Sequence, residues 1–192
     1  MAGSWSAHSL SGDDYDRTCD ARAAAGEDVH GEASFVMRFE PGSVLDAGCG
    51  TGRIARELAR RGVATVGADR DQRMLSTARE KAPDLDWRLA DLATAELGGA
   101  FDVALMAGNV MLFVDRGTEG AVLANLARHL HPGGRLIAGF QLGARALPIE
   151  RYDALAREAG LELDERWSTW DRDPWRPADG YAVSVHRKPA SA

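Results

Sequence analysis

The sequence predicts a doubly wound α/β domain, in which a mostly parallel sheet carries helices on both faces. From Val44 onward, short apolar runs alternate with amphipathic segments of helical period. The runs are apolar throughout, as in strands that are buried on both faces. The chain has 192 residues, 45% of them hydrophobic and 27% charged, which is ordinary for one globular domain with a single core.

The elements follow one another in the order that crossover connections require. The predicted strands are 44–45, 64–68, 87–92, 101–106 and 135–140. The helix predicted at 53–61 has one apolar face, and Asp71 is placed to cap the next helix, which carries Met74. Further helices are expected at 121–130 and between Pro148 and Gly160. Alternation of this kind favours parallel strands joined by right-handed crossovers.

The two ends of the chain break this alternation. Strands at 162–170 and 181–187 have no helix between them, which predicts an antiparallel hairpin at the sheet edge. Residues 1–12 read as a loose leader, and 15–25 and 29–39 as two helices that must pack on the main domain to be stable. We therefore expect a leader and helical lid over 1–40 and the main domain over 41–192.

Charge and cysteine content exclude several classes of function. A net charge of −6 argues against a general surface for nucleic acid or for anionic membranes. No apolar run approaches the roughly 20 residues of a membrane span. Cys19 and Cys49 lack metal-binding spacing. We expect a cytoplasmic protein without a metal site or a membrane partner.

A glycine-rich turn is the most informative motif of the chain. The buried strand that begins at Val44 passes Asp46 and enters a turn containing Gly48, Gly50 and Gly52, and a helix follows. Glycines permit positive φ and a close approach of ligand to backbone, and the helix start offers unpaired N–H groups. In open α/β sheets, ligands bind beyond the carboxyl ends of such strands.

The spacing of this motif discriminates among nucleotides. It is neither the GxGxxG fingerprint of dinucleotide-binding folds nor a phosphate-binding loop with Gly-Lys-Ser/Thr. Asp69 ends the second strand, where a carboxylate accepts hydrogen bonds from ribose hydroxyls, and taken alone it suits NAD as well. Asp91 ends the third, where it can accept from an exocyclic amine such as adenine N6 while Leu92 flanks the ring. Asp91 could instead cap a turn.

With these motifs in order, the chain resembles the class I S-adenosylmethionine-dependent methyltransferases. The fourth strand, 101–106, and the turn 131–134, His-Pro-Gly-Gly, also match the family pattern, and the resemblance covers about residues 40–188. It implies a Rossmann-like, seven-stranded sheet of order 3-2-1-4-5-7-6 with strand 7 antiparallel. It also implies S-adenosylmethionine as the cofactor, and these cofactor-binding residues: Asp46, Gly48, Cys49, Gly50, Asp69, Arg70, Met74, Asp91, Leu92 and Ala107.

Candidate acceptor residues lie on three elements over the strand ends. In the lid, Tyr15 and His30 are candidate catalytic residues; His30 has the unperturbed pKa that suits a base, although a surface or capping role is open. Asn109, after the fourth strand, and Gln141, after the fifth, could orient an acceptor. Met111 and Phe113 are candidates for an apolar wall or for the core.

The third candidate is the aromatic segment between the last two strands. Trp170 and Arg172 lie in the run Trp-Ser-Thr-Trp-Asp-Arg-Asp-Pro-Trp, which starts at residue 167. Such residues can recognise a flat or charged molecule, or they can form a solvated loop over a packed tryptophan.

The preferred interpretation is a methyltransferase that acts on a small molecule. Three alternatives stay open: a module that binds the cofactor for regulation without catalysis, a methyltransferase for protein or RNA, and an NAD-dependent oxidoreductase. The acidic charge disfavours nucleic acid, and the sequence predicts no oligomeric state.

Overall fold

A computed structural model describes residues 30–143 and 146–190, and its centre is a seven-stranded sheet of order β3-β2-β1-β4-β5-β7-β6. The first five strands pair in parallel, and β7 is antiparallel to β5 and β6. This confirms the expected strand order and the edge hairpin. The strands are β1 (Ser43–Ala47), β2 (Ala64–Asp69), β3 (Asp86–Leu89), β4 (Phe101–Met106), β5 (Leu130–Gln141), β6 (Glu162–Trp167) and β7 (Tyr181–Arg187).

Helices cover both faces of the sheet. Within the described ranges they are α1 (Gly31–Met37), α2 (Arg53–Arg60), α3 (Gln72–Lys81), α4 (Val110–Phe113), α5 (Glu119–Arg128) and α6 (Ile149–Glu158). One core cluster holds α5 and α6 against the sheet, and a second holds α1 and α2 against the other face. The Asp71 carboxylate caps α3 by accepting from the Arg73 amide at 2.8 Å, as expected. In the part of the chain that the structure describes, no helix is long and apolar enough to cross a membrane.

Several boundaries differ from the predictions. The helix predicted at 121–130 is α5, which ends at Arg128, and the turn at 131–134 leads into the fifth strand. β5 already begins at Leu130, and its pairing register with β4 shifts across this turn. β3 ends at Leu89 and leaves Asp91 in the following loop. β6 ends at Trp167, and the short helix α4 was not predicted. Residues 1–12, the helix predicted at 15–25 and Tyr15 itself lie outside the described residues.

The Trp87 ring packs so closely against the glycine turn that Gly52 has no room for a side chain. Its indole lies beneath the turn, and a Cβ on Gly52, whose φ is +76°, would come within 2.3 Å of the ring. The indole N–H donates to the carbonyl of Ala82 at 2.7 Å, which fixes the ring. The start of α2 is therefore positioned by packing from below, and the other side of the turn faces the carboxyl edge of the sheet.

Candidate cofactor cleft and acceptor region

A cleft of about 340 Å³ opens at the carboxyl ends of the parallel strands. It is the point at which an open α/β sheet binds its ligand. All ten residues predicted to bind the cofactor line it: Asp46, Gly48, Cys49, Gly50, Asp69, Arg70, Met74, Asp91, Leu92 and Ala107. The structure thus brings together residues from four separate segments of the chain.

The glycine turn forms the wall of this cleft next to β1. The amides of Gly48 and Cys49 both donate to the carbonyl of Ala68 on β2, at 2.7 and 3.0 Å. Gly48 has a φ of +86°, and a Cβ there would lie 2.5 Å from Val110. The turn is therefore anchored to its neighbouring strand and approached closely by the first residue of α4.

Asp46 is a buried carboxyl at the inner end of the cleft. Its side chain is 2% exposed and accepts from the amide of Ala55 in the first turn of α2 at 3.1 Å. Burial raises the pKa of Asp46 to about 7, although Arg53 acts in the opposite direction. Asp46 thus orders the turn and lines the cleft, and burial makes its charged form costly despite the nearby Arg53.

Asp69 organises the ribose end of the predicted site. One carboxylate oxygen accepts from the Gly50 amide and the other from the Asp71 amide, each at 2.8 Å. Burial raises its pKa, and these amide hydrogen bonds oppose the rise. The carboxylate is therefore held rigidly at the cleft wall, where its remaining lone pairs can accept from hydroxyl groups.

The lining of the cleft is acidic overall. It carries four carboxyl groups, those of Asp46, Asp69, Asp91 and Asp115, against two guanidinium groups. Both guanidinium groups are engaged: Arg53 pairs with Glu32 at 2.6 Å and Arg70 with Asp115 at 3.2 Å. A ligand that carries positive charge is favoured in such a cleft over one that carries phosphates.

Cys49 contributes its position, and its thiol is not suited to act as a nucleophile. The side chain packs in an apolar cluster that includes Ala55 and Trp87. Burial raises the pKa of the thiol far above its usual range, so it stays protonated. This agrees with its interpretation as a small residue within the turn.

Asp91 caps a turn, one of the two roles that the sequence left open, and it also lies at the cleft. Its carboxylate caps the loop after β3 by accepting from the Ala93 amide at 2.9 Å, and it also lines the cleft. Met74 and Leu92 supply apolar surface at the same end. This end of the cleft suits a flat ring with a polar edge.

Asn109 and Gln141, the candidates for orienting an acceptor, do not line the cleft, whereas Phe113 does. Asn109 has a φ of +64°, and its side-chain oxygen accepts from the Gln141 amide at 2.8 Å, which joins the ends of β4 and β5. Neither residue is part of the cleft lining. Asn109 therefore has a clear structural role, and the main chain of Gln141 is its partner.

Trp170 and Arg172, the candidates for a recognition wall, are not part of the described lining of the cleft. Trp170 packs edge-on against Phe35 at a centroid distance of 5.4 Å and donates to the Tyr181 hydroxyl at 3.2 Å. It lies over Gly139, which leaves room for the ring. Arg172 is exposed, with a φ of +70°. The segment is a solvated loop over a packed tryptophan, because α1 offers the ring an apolar partner.

His30 immediately precedes α1 and is not part of the cleft lining. The pKa of the nearby Glu57 on α2 is lowered to about 2, chiefly by hydrogen bonds from Arg60 and then Arg61, with a smaller effect of His30. The structure therefore places His30 at a helix start beside α2.

Sequence reasoning missed a second group of lining residues. They are Thr51, Arg53, Ile54, Ala90, Gly108, Val110, Val114, Asp115, Thr118 and Val122, while Phe113 was considered only as a wall or core residue. The position of Arg53, directly after the glycine motif, could have indicated that it lines the cleft. Nothing in the sequence indicates the same for Asp115, because its position depends on the unpredicted helix α4. Within 30–143 and 146–190, no cluster of three or more metal-ligating side chains occurs.

Comparisons with known proteins show the family of the chain. A family model described as a methyltransferase domain matches residues 44–134. The solved structure of a TehB-like SAM-dependent methyltransferase from Corynebacterium glutamicum is 33% identical, with a TM-score of 0.85; the match covers 92% of this chain and 97% of that one. A trans-aconitate 2-methyltransferase from Rhizobium rhizogenes is 34% identical over 151 residues, or 77% of this chain and 52% of the relative.

The fold, the cleft and these similarities define the class: the chain belongs to the class I S-adenosylmethionine-dependent methyltransferases. Within that class it is similar over almost its whole length to the TehB-like protein. A dTDP-3-amino-3,4,6-trideoxy-alpha-D-glucopyranose N,N-dimethyltransferase from Streptomyces venezuelae is 29% identical over 119 residues, 58% of this chain. The chain spans only about half the length of that relative, 50%, and of the aconitate enzyme, 52%.

Proposed function

We propose that this chain transfers the methyl group of S-adenosylmethionine to a small-molecule acceptor by direct in-line displacement. The observation that carries the proposal is the acidic cleft beside the glycine turn, lined by residues of the chemistry that this cofactor needs. When bound, the cofactor supplies a methyl group already activated on a sulfonium sulfur. The protein then has mainly to align donor and acceptor.

The residues of the cleft divide the work of binding. Gly48 and Gly50 let the methionine portion approach the backbone, and Asp46 compensates positive charge there. Asp69 accepts from the ribose hydroxyls. Asp91 and Leu92 hold the adenine by its amine and its face. The carboxyls of the buried Asp46 and the half-buried Asp69 beside the glycine turn disfavour the pyrophosphate of NAD, which would lie against them.

The acceptor is proposed to be a small molecule on two grounds. Several curated relatives are named for such substrates, among them an amino sugar nucleotide and trans-aconitate. The rim of the cleft is apolar at Val110 and Phe113, and the chain carries a net charge of −6, which suits a metabolite better than RNA. A base is needed only where the acceptor must lose a proton.

The cofactor assignment is tested by unfolding the protein thermally with S-adenosylhomocysteine and, separately, with NAD. At 100 times its dissociation constant a ligand of the native state adds about 2.7 kcal/mol. For a chain of this size we expect the midpoint to rise by roughly 5–10 °C. A rise with NAD and none with S-adenosylhomocysteine would contradict the proposal.

Turnover tests catalysis and the acceptor class. The protein is incubated with methyl-labelled S-adenosylmethionine and pools of metabolites, peptides or RNA, and S-adenosylhomocysteine is measured. Product that depends on the metabolite pool supports the proposal; tight binding without product from any pool indicates a regulatory module. His30→Ala tests the candidate base, since it should lower turnover and leave cofactor affinity unchanged.

A further inference from the structure

The loop between β3 and β4 carries the adenine end of the cleft but contains no helix or strand. Ala90, Asp91 and Leu92 line the cleft from this loop, which continues as irregular backbone to residue 100. A carboxylate that must meet an amine needs a fixed position, and short irregular loops gain one only from tertiary contacts. The Ala90 amide ties the start of the loop to the carbonyl of Asp69 at 2.9 Å, and side chains at the end of α5 bind the part that follows.

Asn125 binds the loop at two carbonyl groups. Its side chain is buried, with a residue exposure of 6%, and its amide nitrogen donates to the carbonyls of Leu92 and Ala95, each at 2.9 Å. The amide oxygen accepts from Arg128 at 2.6 Å. Both donor hydrogens and one acceptor of Asn125 are thus used, so its orientation is fixed by its partners.

His129 binds the same loop at an amide group. The Leu97 N–H donates to its Nε2 at 3.0 Å, while its Nδ1 lies 2.8 Å from the carbonyl of Asn125. An Nε2 that accepts requires the hydrogen to be on Nδ1, where it can be donated to that carbonyl. The Glu96 carboxylate lies 3.6 Å from Nε2, on the solvent side. His129 is itself 4% exposed.

These two side chains continue a stripe of α5 that also forms the cleft. Thr118 and Val122 line the cleft, and Asn125 and His129 follow at helical spacing. One rigid helix therefore contacts the ligand site directly and holds the adenine loop by three hydrogen bonds. Moving the loop without moving α5 would leave buried polar groups unpaired, which is costly.

We propose that Asn125 and His129 are positioning residues that fix Asp91 and Leu92 for recognition of the adenine amine. The inference rests on the cofactor placement given under Proposed function. Neither side chain lines the cleft, and both act through the loop backbone. Their contribution should therefore appear in selectivity for the adenine edge, beyond any effect on stability.

The test compares S-adenosylhomocysteine with S-inosylhomocysteine, in which a carbonyl replaces the amine, by calorimetric titration. Asn125→Asp keeps the shape and the acceptor for Arg128 and removes the donating nitrogen. His129→Phe removes the acceptor for Leu97, and His129→Gln can restore one. Lys188→Met is the matched control, because Lys188 donates to the carbonyls of Ala127 and Leu130 at the same helix end, at 3.0 and 2.8 Å, without touching the loop.

We expect the unaltered protein to prefer S-adenosylhomocysteine by roughly tenfold or more, the effect of one charge-assisted hydrogen bond. Asn125→Asp and His129→Phe should reduce this preference to less than about threefold, while His129→Gln and Lys188→Met keep most of it. If Asn125→Asp does not fold, the two His129 variants decide.

Two results would overturn the inference and are distinguishable from each other. Folded Asn125→Asp and His129→Phe proteins that keep the full preference would show that the loop needs no such support. An unaltered protein that binds neither compound would remove the proposed function, and the inference with it.

Discussion

The cofactor end of the cleft and the candidate acceptor region are built from different kinds of structure. At the cofactor end, Asp46 and Asp69 stand within the last two positions of parallel strands, and main-chain N–H groups donate to their carboxylates. In the acceptor region, Asn109 and Trp170 lie on connections: Asn109 accepts from the end of β5, and Trp170 packs against α1.

The difference shows what a strand end contributes to a site. The sheet order brings the ends of β1, β2 and β4 to one edge whatever the connections do, so residues at those ends meet. A loop residue has no such constraint, and its position depends on the side chains available for packing. Trp170 packs against Phe35, although the composition of its segment and its place in the chain suited a binding wall.

The largest expected effect is on the free energy of unfolding, which the buried carboxyl of Asp46 lowers when it is charged. The pKa of Asp46 is raised from 3.8 to about 7 by folding. The folded state then binds more protons than the unfolded state between these values, so this group lowers the stability of the ligand-free protein as the pH rises through that window. Asp46→Asn should therefore stabilise the ligand-free protein at pH 8 by roughly 2–4 kcal/mol.

Urea unfolding of both proteins at pH 4.5 and pH 8 measures this effect. The stabilisation should be small at pH 4.5, where the carboxyl is protonated in the folded state. Asp115→Asn, at the exposed mouth of the same cleft, is the control and should lack this pH dependence. Equal stabilities of Asp46→Asn and the unaltered protein at pH 8 would show that the buried charge is already compensated.

The next prediction compares Gly52, where a side chain would clash with a neighbour, with Gly62, where only the backbone conformation favours glycine. Gly52→Ala places a Cβ 2.3 Å from the Trp87 ring at a φ of +76°. We expect a loss of about 3 kcal/mol in the free energy of unfolding, from backbone strain and overpacking together. Gly62→Ala, with a φ of +88° and no atom near the added Cβ, should cost only about 1 kcal/mol. Equal losses in urea unfolding would mean that the indole moves freely.

The strands with a clear local pattern could be predicted from the sequence, and the features that depend on neighbouring elements could not. β4 and β7 were predicted with their observed bounds, because 101–106 and 181–187 are rich in apolar residues and have clear ends. The turn at 131–134 was predicted to precede the fifth strand, yet β5 already starts at Leu130 and passes through the turn with a register shift against β4. Such irregular pairing depends on the neighbouring strand and has no local signal. The same holds for Asp115, which reaches the cleft only through α4.

A third prediction concerns the ribose end of the cleft. Asp69→Ala should weaken binding of S-adenosylhomocysteine by ~1–3 kcal/mol, because charge-assisted hydrogen bonds to the ligand are lost and the Gly50 and Asp71 amides lose their acceptor. Calorimetric titration measures the change. Asp71→Ala is the control in the same turn: it removes the cap of α3 and should cost about 1 kcal/mol of stability with little change in affinity. Unchanged affinity of Asp69→Ala would remove Asp69 from the ribose site.

The smallest expected effect tests whether the aromatic segment is more than a loop. Arg172 holds a φ of +70°, which costs a residue with a side chain ~1–2 kcal/mol. Arg172→Gly relieves that strain and loses ~0.5–1 kcal/mol through the greater freedom of the unfolded chain. The net expectation is a gain of about 0.5 kcal/mol in unfolding experiments.

Arg176→Gly in the same segment should instead destabilise the protein, because Arg176 is outside the positive-φ region. The two variants together separate a conformational role of Arg172 from an acceptor contact. Once a substrate is found, a rise in KM for Arg172→Gly with kcat unchanged would place its guanidinium on the bound acceptor. An unchanged KM, together with the stability gain, would confine Arg172 to the loop and leave the acceptor to the apolar rim at Val110 and Phe113.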